Sequence, residues 1–345
     1  MYGHQSAATL PEPFPQFLDR GRGCRVWDVD GREYVDFVCS FGPIVLGHAH
    51  RAVEAAVERQ RALADCQNGP SPRMVELAER LVDLVPHADW AMFAKNGTDA
   101  TTLALSIARS ATGRRKVLVA RGAYHGSAPW CTPRPAGTTP EDRADLVPFV
   151  YNDLGSVEEA VDQAGGDLAA VLVSAFRHDA RFDQEECDPA FARGVRAVCD
   201  RRGAALVLDD VRAGFRLHLG GSWEPLGVRP DLSAYSKAIA NGYPLAAVVG
   251  RDSLRDAAPA SFRHGIVLVR RRAHGGRAGH DRGARGRAGD RADGSRRDSP
   301  PRRPRPAGAR PRPPDHAERP RPAAVPDVRG RRGGGDLRPG ERVHR

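Results

Sequence analysis

The chain has 345 residues and a formal net charge of +10, but the excess is confined to one end. Residues 1–263 carry 30 Lys+Arg against 34 Asp+Glu, whereas residues 264–345 carry 23 Arg against 9 acids, a net of +14. That last segment holds 11 Pro and 14 Gly and no Phe, Trp, Tyr, Cys, Met or Lys. A packed core is excluded there, because too little apolar area would offset the entropy of ordering it. The first 263 residues are ample for one.

No apolar run approaches the roughly 18 residues of a membrane span, and the opening MYGHQSAATLPEPFPQF lacks the charged-then-apolar layout of a secretory signal. A soluble, cytoplasmic protein is therefore expected. Six cysteines (Cys24, Cys39, Cys66, Cys131, Cys187, Cys199) form no CxxC pair and no Cys/His cluster at zinc spacing, so they suggest neither a disulfide framework nor a metal site. They read as reduced and mostly buried fillers.

Taken in chain order, CRVWDVDGREYVDF places the turn Asp30-Gly31 between two β-rich runs, a hairpin signal. A helical stretch with Ala52, Ala55, Ala56 and Leu63 follows. Pro72 then heads a second helix through Met74, Leu77, Leu81 and Leu84, which Pro86 stops. From Trp90 the pattern alternates: WAMFA reads as a strand, Gly97 to Thr112 as a helix, KVLVA and AAVLVSAF as strands, Pro189 to Arg202 as a helix, AALVLD and LAAVVG as strands. Short aliphatic runs alternating with helices predict an α/β fold with a mainly parallel central sheet covered by helices on both faces. Ligands in such sheets sit beyond the carboxyl ends of the strands.

Three polar clusters occupy such ends: Asn96-Gly97-Thr98-Asp99 after WAMFA, Asp209-Asp210 after AALVL, and Ser236-Lys237 after the short run LSAY. The first opens a helix, whose free N–H groups suit a phosphate; taken alone it reads more readily as a plain cap with Asn96 or Thr98 as the capping residue. Asp209 follows four apolar residues, where a carboxylate needs a cationic partner. That partner is either an ordinary salt bridge or turn, or the protonated ring nitrogen of a pyridoxal cofactor. The chain has 50 Arg and only three Lys, Lys95, Lys116 and Lys237. Arginine would serve for a mere surface charge, whereas only an amine that can lose its proton forms a Schiff base. Lys237, between an apolar run and the glycine turn AIANGYP, is placed to be a desolvated amine; Lys95 and Lys116 read as ends of ordinary elements. Tyr124-His125-Gly126 follows KVLVARGA over the same cleft, as a ring to stack on a flat ligand or as a loop with no role.

Together, VWDVDGREYVDFVCSFGPIVLGHAHRAV, NGTDAT, the YHG triplet, LDDVRAGFR and PDLSAYSKAIANGYPLAAVVG resemble, in order over residues 13–262, the class III (ornithine-type) pyridoxal phosphate-dependent aminotransferases of fold type I, most closely the glutamate-1-semialdehyde 2,1-aminomutase branch. The resemblance implies an enzyme that transfers an amino group between an amino compound and a carbonyl acceptor, with a 1,2-amino shift as the alternative. It implies pyridoxal 5′-phosphate as cofactor and, for the intact family member, a homodimer; the lack of a membrane-length apolar run and of a nucleic-acid-binding module leads to the expectation of no membrane and no specific nucleic acid as partner. Lys237 looks like the aldimine lysine and general base, and Asp209 like the ring-nitrogen partner. Val211 and Tyr124 would flank the ring, His125 would belong to the cofactor site, and Gly97 and Thr98 would hold the phosphate. Asp210 and Asp99 stand where the family usually has Glu, Phe41 where it often has Trp, and Ser174-Ala175 replaces a common Glu-Pro. MYGHQSAATLPEP offers no match for the arginine with which the aminomutase branch holds a substrate carboxylate.

The domains expected are the N-terminal part of a small domain at 1–45, a large cofactor-binding domain at 46–255, and an Arg/Pro/Gly-rich, disordered tail at 263–345 in place of the C-terminal small domain. The change of character near Phe262 is abrupt, as when GC-rich coding is read out of register. Arg263 to Arg285 admit codons that, read one base later, give VTGSFWYGAVPMAAALATIAEL. That reading contains the Thr-Gly-Ser which in this family supplies a phosphate-binding threonine across the dimer interface. An out-of-frame tail would leave catalysis impaired. As a function of another class, the tail's charge would bind polyanions or nucleic acid nonspecifically.

Overall fold

The computed structural model describes residues 14–261 apart from 65, 66, 68, 134 and 178–182. The readings made for the tail lie outside the described residues. Three short strands, β1 (Leu18–Arg22), β2 (Arg25–Asp28) and β3 (Glu33–Val35), form an antiparallel sheet of their own. The β2–β3 turn forms at Asp30-Gly31 as the sequence predicts, with Asp28 Oδ1 accepting from the N–H groups of Asp30 and Arg32 at 3.0 and 2.8 Å. The sequence gives no sign of β1, since LDRGR has no apolar alternation and lies almost wholly exposed.

Helix α1 (Arg51–Arg61) stops short of Leu63, which is 81% exposed. Helix α2 (Pro72–Leu84) begins where expected: Ser71 Oγ accepts from Met74 N at 3.3 Å, and Pro72 fills the first helical position, where its missing N–H costs nothing.

The remaining strands are β4 (Trp90–Ala94), β5 (Lys116–Ala120), β6 (Leu146–Phe149), β7 (Leu168–Ser174), β8 (Ala205–Asp209), β9 (Leu232–Tyr235) and β10 (Ala246–Gly250). They form one sheet in the order β4-β10-β9-β8-β7-β5-β6. Only β10 runs against its neighbours. The all-aliphatic β7, LAAVLVS, is buried along its whole length, as a strand covered on both faces must be; it ends at Ser174, before the Ala175-Phe176 that its apolar run suggests. Pro148 hides β6 from the sequence pattern, and the fold tolerates it because β6 is the edge strand.

Alternation along the strands sorts side chains between two layers. Val117, Leu172, Val207 and Val248 pack under α3 (Gly97–Thr112) and α6 (Ala257–Ser261). On the other face Leu118, Val171, Val173 and Leu206 meet α4 (Leu154–Ala164) and α5 (Pro189–Arg202), and Ala247 and Val249 meet α2. Both faces of the sheet are thus covered by helices. The cysteine reading needs correction: of the five described, only Cys131 and Cys199 are buried, while Cys24 is exposed and Cys39 and Cys187 are partly exposed. All five are free thiols.

Candidate active site

Because β4, β5, β8 and β9 all run the same way, the residues that follow them emerge at one edge of the sheet. There they line a single cavity of about 510 Å³. Gly97, Thr98, Tyr124, His125, Asp209, Val211 and Lys237 all contribute to its wall, so the seven residues singled out from sequence meet in one place.

The cavity floor is the first turn of α3. Asn96, not Thr98, is the cap: its Oδ1 accepts from Asp99 N at 3.0 Å, and its Nδ2 donates to Asp99 Oδ2 at 2.8 Å. Thr98 Oγ1 instead accepts from Ser127 N at 3.1 Å, tying the helix start to the loop after β5. Two glycines make this approach possible. A Cβ on Gly97 would stand 2.7 Å from Val211 Cγ1, and one on Gly126, at φ +135°, would stand 2.5 Å from Thr98 Oγ1.

Asp209 ends β8 and is buried. Its Oδ2 lies 2.7 Å from His125 Nδ1, and its Oδ1 accepts from Val211 N at 3.1 Å. His125 is fixed in turn by Thr101, whose Oγ1 donates to the His125 carbonyl at 2.8 Å. The second ring nitrogen, Nε2, is buried without a hydrogen-bond partner among the described residues. Asp210 faces away from the cavity into the protein: it is fully buried, accepts from Ser222 N at 2.9 Å and from Ser222 Oγ, and burial pushes its carboxyl up to about 6.

Lys237 follows β9 in a left-handed conformation, φ +49°. Burial lowers the pKa of its amine; Asp209 opposes that shift, and Arg212 and Arg216 add to it. The other two lysines are elsewhere. Lys95 is exposed, and Lys116 opens β5 with Nζ donating to Gln163 O at 3.1 Å. Sequence reasoning missed Arg212, which lines the cavity. It stands inside LDDVRAGFR, but one arginine among 50 carries no signal of its own.

The class-III aminotransferase family model matches residues 7–267. The chain belongs to the class III aminotransferases. It is 50% identical over 258 residues to an aminopentol aminotransferase of Sphingopyxis macrogoltabida, a match covering 75% of this chain and 61% of that protein. It is 36% identical over 252 residues to a glutamate-1-semialdehyde 2,1-aminomutase of Chloroflexus aggregans, covering 70% and 57%. Among solved structures, the pyridoxal phosphate internal aldimine form of the FumI protein of Sphingopyxis sp. MTA144 superposes with a TM-score of 0.74 at 49% identity, covering 76% of this chain and 63% of that one. The chain thus spans about three-fifths of the length of these class III relatives (61% and 57%). Among its described residues no helix is long and apolar enough to cross a membrane.

Proposed function

We propose that the chain transfers an amino group between an amino compound and a carbonyl acceptor, with pyridoxal phosphate as cofactor and Lys237 as the proton-handling residue. The observation that carries this reading is the convergence, in one cavity, of a half-buried lysine with a lowered pKa, a buried carboxylate and the open first turn of a long helix. The residues suit the cofactor. The cavity is of the size that binds small ligands. The first turn of α3 offers N–H groups to a phosphate, and Gly97 lets Val211 close against it where a Cβ would intrude. His125 Nε2 is an unsatisfied buried atom in the same wall.

When bound, pyridoxal phosphate supplies an electron sink for the charge that develops at the substrate carbon. The backbone of Gly97 and Thr98 would hold its phosphate, and Tyr124 and Val211 would pack against its ring. Asp209, a carboxylate fixed by His125 and by Val211 N, would hold the proton of the ring nitrogen. Asp209 is buried, so its charge acts more strongly there than it would in water. Lys237 Nζ takes the proton from the substrate and returns it, and the lowered pKa keeps a larger share of this amine in the neutral form that a base requires.

Higher identity to the aminotransferase (50%) than to the aminomutase (36%) favours transfer between two molecules over a shift within one. An aminopentol is the first donor to try. We place the enzyme in the cytoplasm as a homodimer; Phe37, 91% exposed beside the exposed Val38 and Phe41, supports an apolar surface that a second copy would cover. Nonspecific polyanion binding by the tail is not favoured, since the family match over residues 7–267 points to an enzyme.

The test is chemical. The full chain is incubated with pyridoxal phosphate, reduced with borohydride and digested for peptide mass spectrometry. A pyridoxyl group on Lys237, and none on Lys95 or Lys116, is expected. An unlabelled Lys237 overturns the proposal.

A further inference from the structure

The turn that carries Lys237 is closed by its own bonds. Ser236 Oγ donates to Leu245 O at 3.0 Å across it, and within it Ile239 N donates to Ser236 O at 3.2 Å and Tyr243 N to Ala240 O at 3.0 Å. Residues 42–47, ahead of α1, lie against this turn. A Cβ on Gly42, at φ +108°, would stand 3.8 Å from Lys237 Cδ, so the Gly42 backbone covers the lysine stem. A Cβ on Gly242, at φ +101°, would stand 2.9 Å from Ile44 Cδ1, so Ile44 packs on the far end of the same turn.

One side chain joins the two segments. Asn241 is buried in a left-handed conformation, φ +47°, which its short polar side chain tolerates. Its Oδ1 accepts from Leu46 N at 2.9 Å, and its Nδ2 donates to Gly47 O at 2.9 Å. Both halves of the carboxamide are therefore engaged by the backbone of the covering segment. A weaker, exposed tie comes from Tyr243, whose hydroxyl donates to Glu54 Oε2 on α1 at 2.8 Å. The cover needs a holder, because Cys39, Ser40 and Phe41 just before it sit at φ +48°, +52° and +64°. Three successive non-glycine residues in the left-handed region are strained, and such a stretch persists only where its surroundings fix it.

We infer that Asn241 is a positioning residue for Lys237: its carboxamide pins residues 42–47 over the lysine stem, and that cover keeps water from the amine. The cover works through water alone, since its sequence GPIVLG has no titratable side chain, and His48, next in the chain, is paired with Asp36 at 2.8 Å. The charged groups that act on the amine, Asp209, Arg212 and Arg216, come from the end of β8 and the turns after it. Asp99, Tyr124 and His125 line the same cavity from α3 and the loop after β5. Loosening the clamp leaves all of these in place and rehydrates the amine, which raises its pKa. The inference rests on the amino-transfer reading for the use made of the amine, but its experiment reads the amine itself.

Asn241→Gly isolates the clamp, because glycine adopts the left-handed conformation freely and loses only the two side-chain bonds. The full chain is treated with hydroxylamine, dialysed to free its amines, and labelled with limiting acetic anhydride over a range of pH. The three lysines are quantified by peptide mass spectrometry, with the exposed Lys95 as internal reference. In Asn241→Gly the labelling midpoint of Lys237 should rise by about half a pH unit or more. Peptides spanning 42–48 should exchange amide hydrogen about tenfold faster, with β7 exchanging as in the parent. Ile44→Ala, which trims the contact on Gly242 and keeps Asn241, should move the midpoint the same way, and it decides the matter if the glycine variant does not fold. A Lys237 midpoint that stays or falls, or unchanged exchange over 42–48, overturns the inference. Borohydride labelling of the parent with pyridoxal phosphate, run in parallel, tells the failures apart: label on Lys237 with an unmoved midpoint refutes the clamp alone, and a raised midpoint without label refutes the amino-transfer reading alone.

Discussion

His125 Nδ1 lies 2.7 Å from Asp209 Oδ2, and both side chains are buried, at 3% and 5% exposure. A carboxylate at that depth is stable only because both its oxygens are engaged, one by the imidazole and the other by Val211 N. The histidine comes from the loop after β5 and the aspartate from the end of β8, so the bond also joins two walls of the cavity.

Replacing Asp209 separates charge from packing. Asp209→Ala leaves the buried imidazole without its partner, and should cost about 3 kcal/mol in urea unfolding. Asp209→Asn keeps one acceptor oxygen, for Val211 N, and turns an amide donor toward His125 Nδ1, which accepts in its other tautomer; it should cost less than the alanine, about 1 kcal/mol. Both should lower the amino-transfer rate by about a hundredfold or more, because the charge is lost in either case. An asparagine variant with parental rate would show that the carboxylate acts only in folding.

The lines of the site were legible because strand ends in a parallel sheet are marked by composition: a short, mostly apolar run, then polar residues. WAMFA, AALVL and LSAY each pointed to a residue that the fold brings to one cavity. Where that contrast is missing, the sequence is silent. The edge strand β6 is interrupted by Pro148, β1 is almost wholly exposed, and Arg212 is lost among the arginines of an arginine-rich chain. Nor does the doublet Asp209-Asp210 say which carboxylate serves the cavity. Alternation along the chain decides it, turning Asp209 inward to His125 and Asp210 away to Ser222.

Gly97 should tolerate no side chain. An added Cβ would stand 2.7 and 3.2 Å from the two methyls of Val211, which is itself buried. Gly97→Ala is expected to destabilise by about 1–3 kcal/mol through overpacking. Val211→Ala in the same chain should recover most of that loss, since it removes both methyls. The coupling between the two, read from a double-mutant cycle of urea unfolding, should exceed about 0.5 kcal/mol; strict additivity would mean that the contact is not tight.

Asp210 gives a pH signature with a definite sign. Burial holds its carboxyl at about 6, above the 3.8 of a free aspartate. Between those values the folded chain keeps a proton that the unfolded chain has released, so this residue's contribution to stability falls as pH rises through the window and stays low above it. Asp210→Asn removes the titration. Its oxygen accepts from Ser222 N and its amide donates to Ser222 Oγ, replacing the bonds that the carboxylate makes. The variant should match the parent near pH 4 and exceed it at pH 7 by up to about 3 kcal/mol, measured by urea unfolding at the two pH values. A constant difference across the range would mean that Asp210 does not titrate there.

The final expectation concerns the gene. The family match ends at residue 267, inside the stretch where aliphatic sequence gives way to Arg, Pro and Gly. Reading Arg263 to Arg285 one base later with permitted codons produces Thr-Gly-Ser followed by an amphipathic run, and both follow naturally on the family pattern that precedes them. Codon degeneracy leaves many other readings open, so the nucleotide sequence across codons 258–270 is decisive. A one-base slip in that interval is expected. Restoring the frame should extend the family match past residue 267, supply the small domain that completes the cavity, and yield a chain that elutes as a dimer and transfers amino groups faster than the present one. If the codons run on without a family-like reading in the shifted frame, the tail is a genuine part of this protein and the frame proposal is refuted.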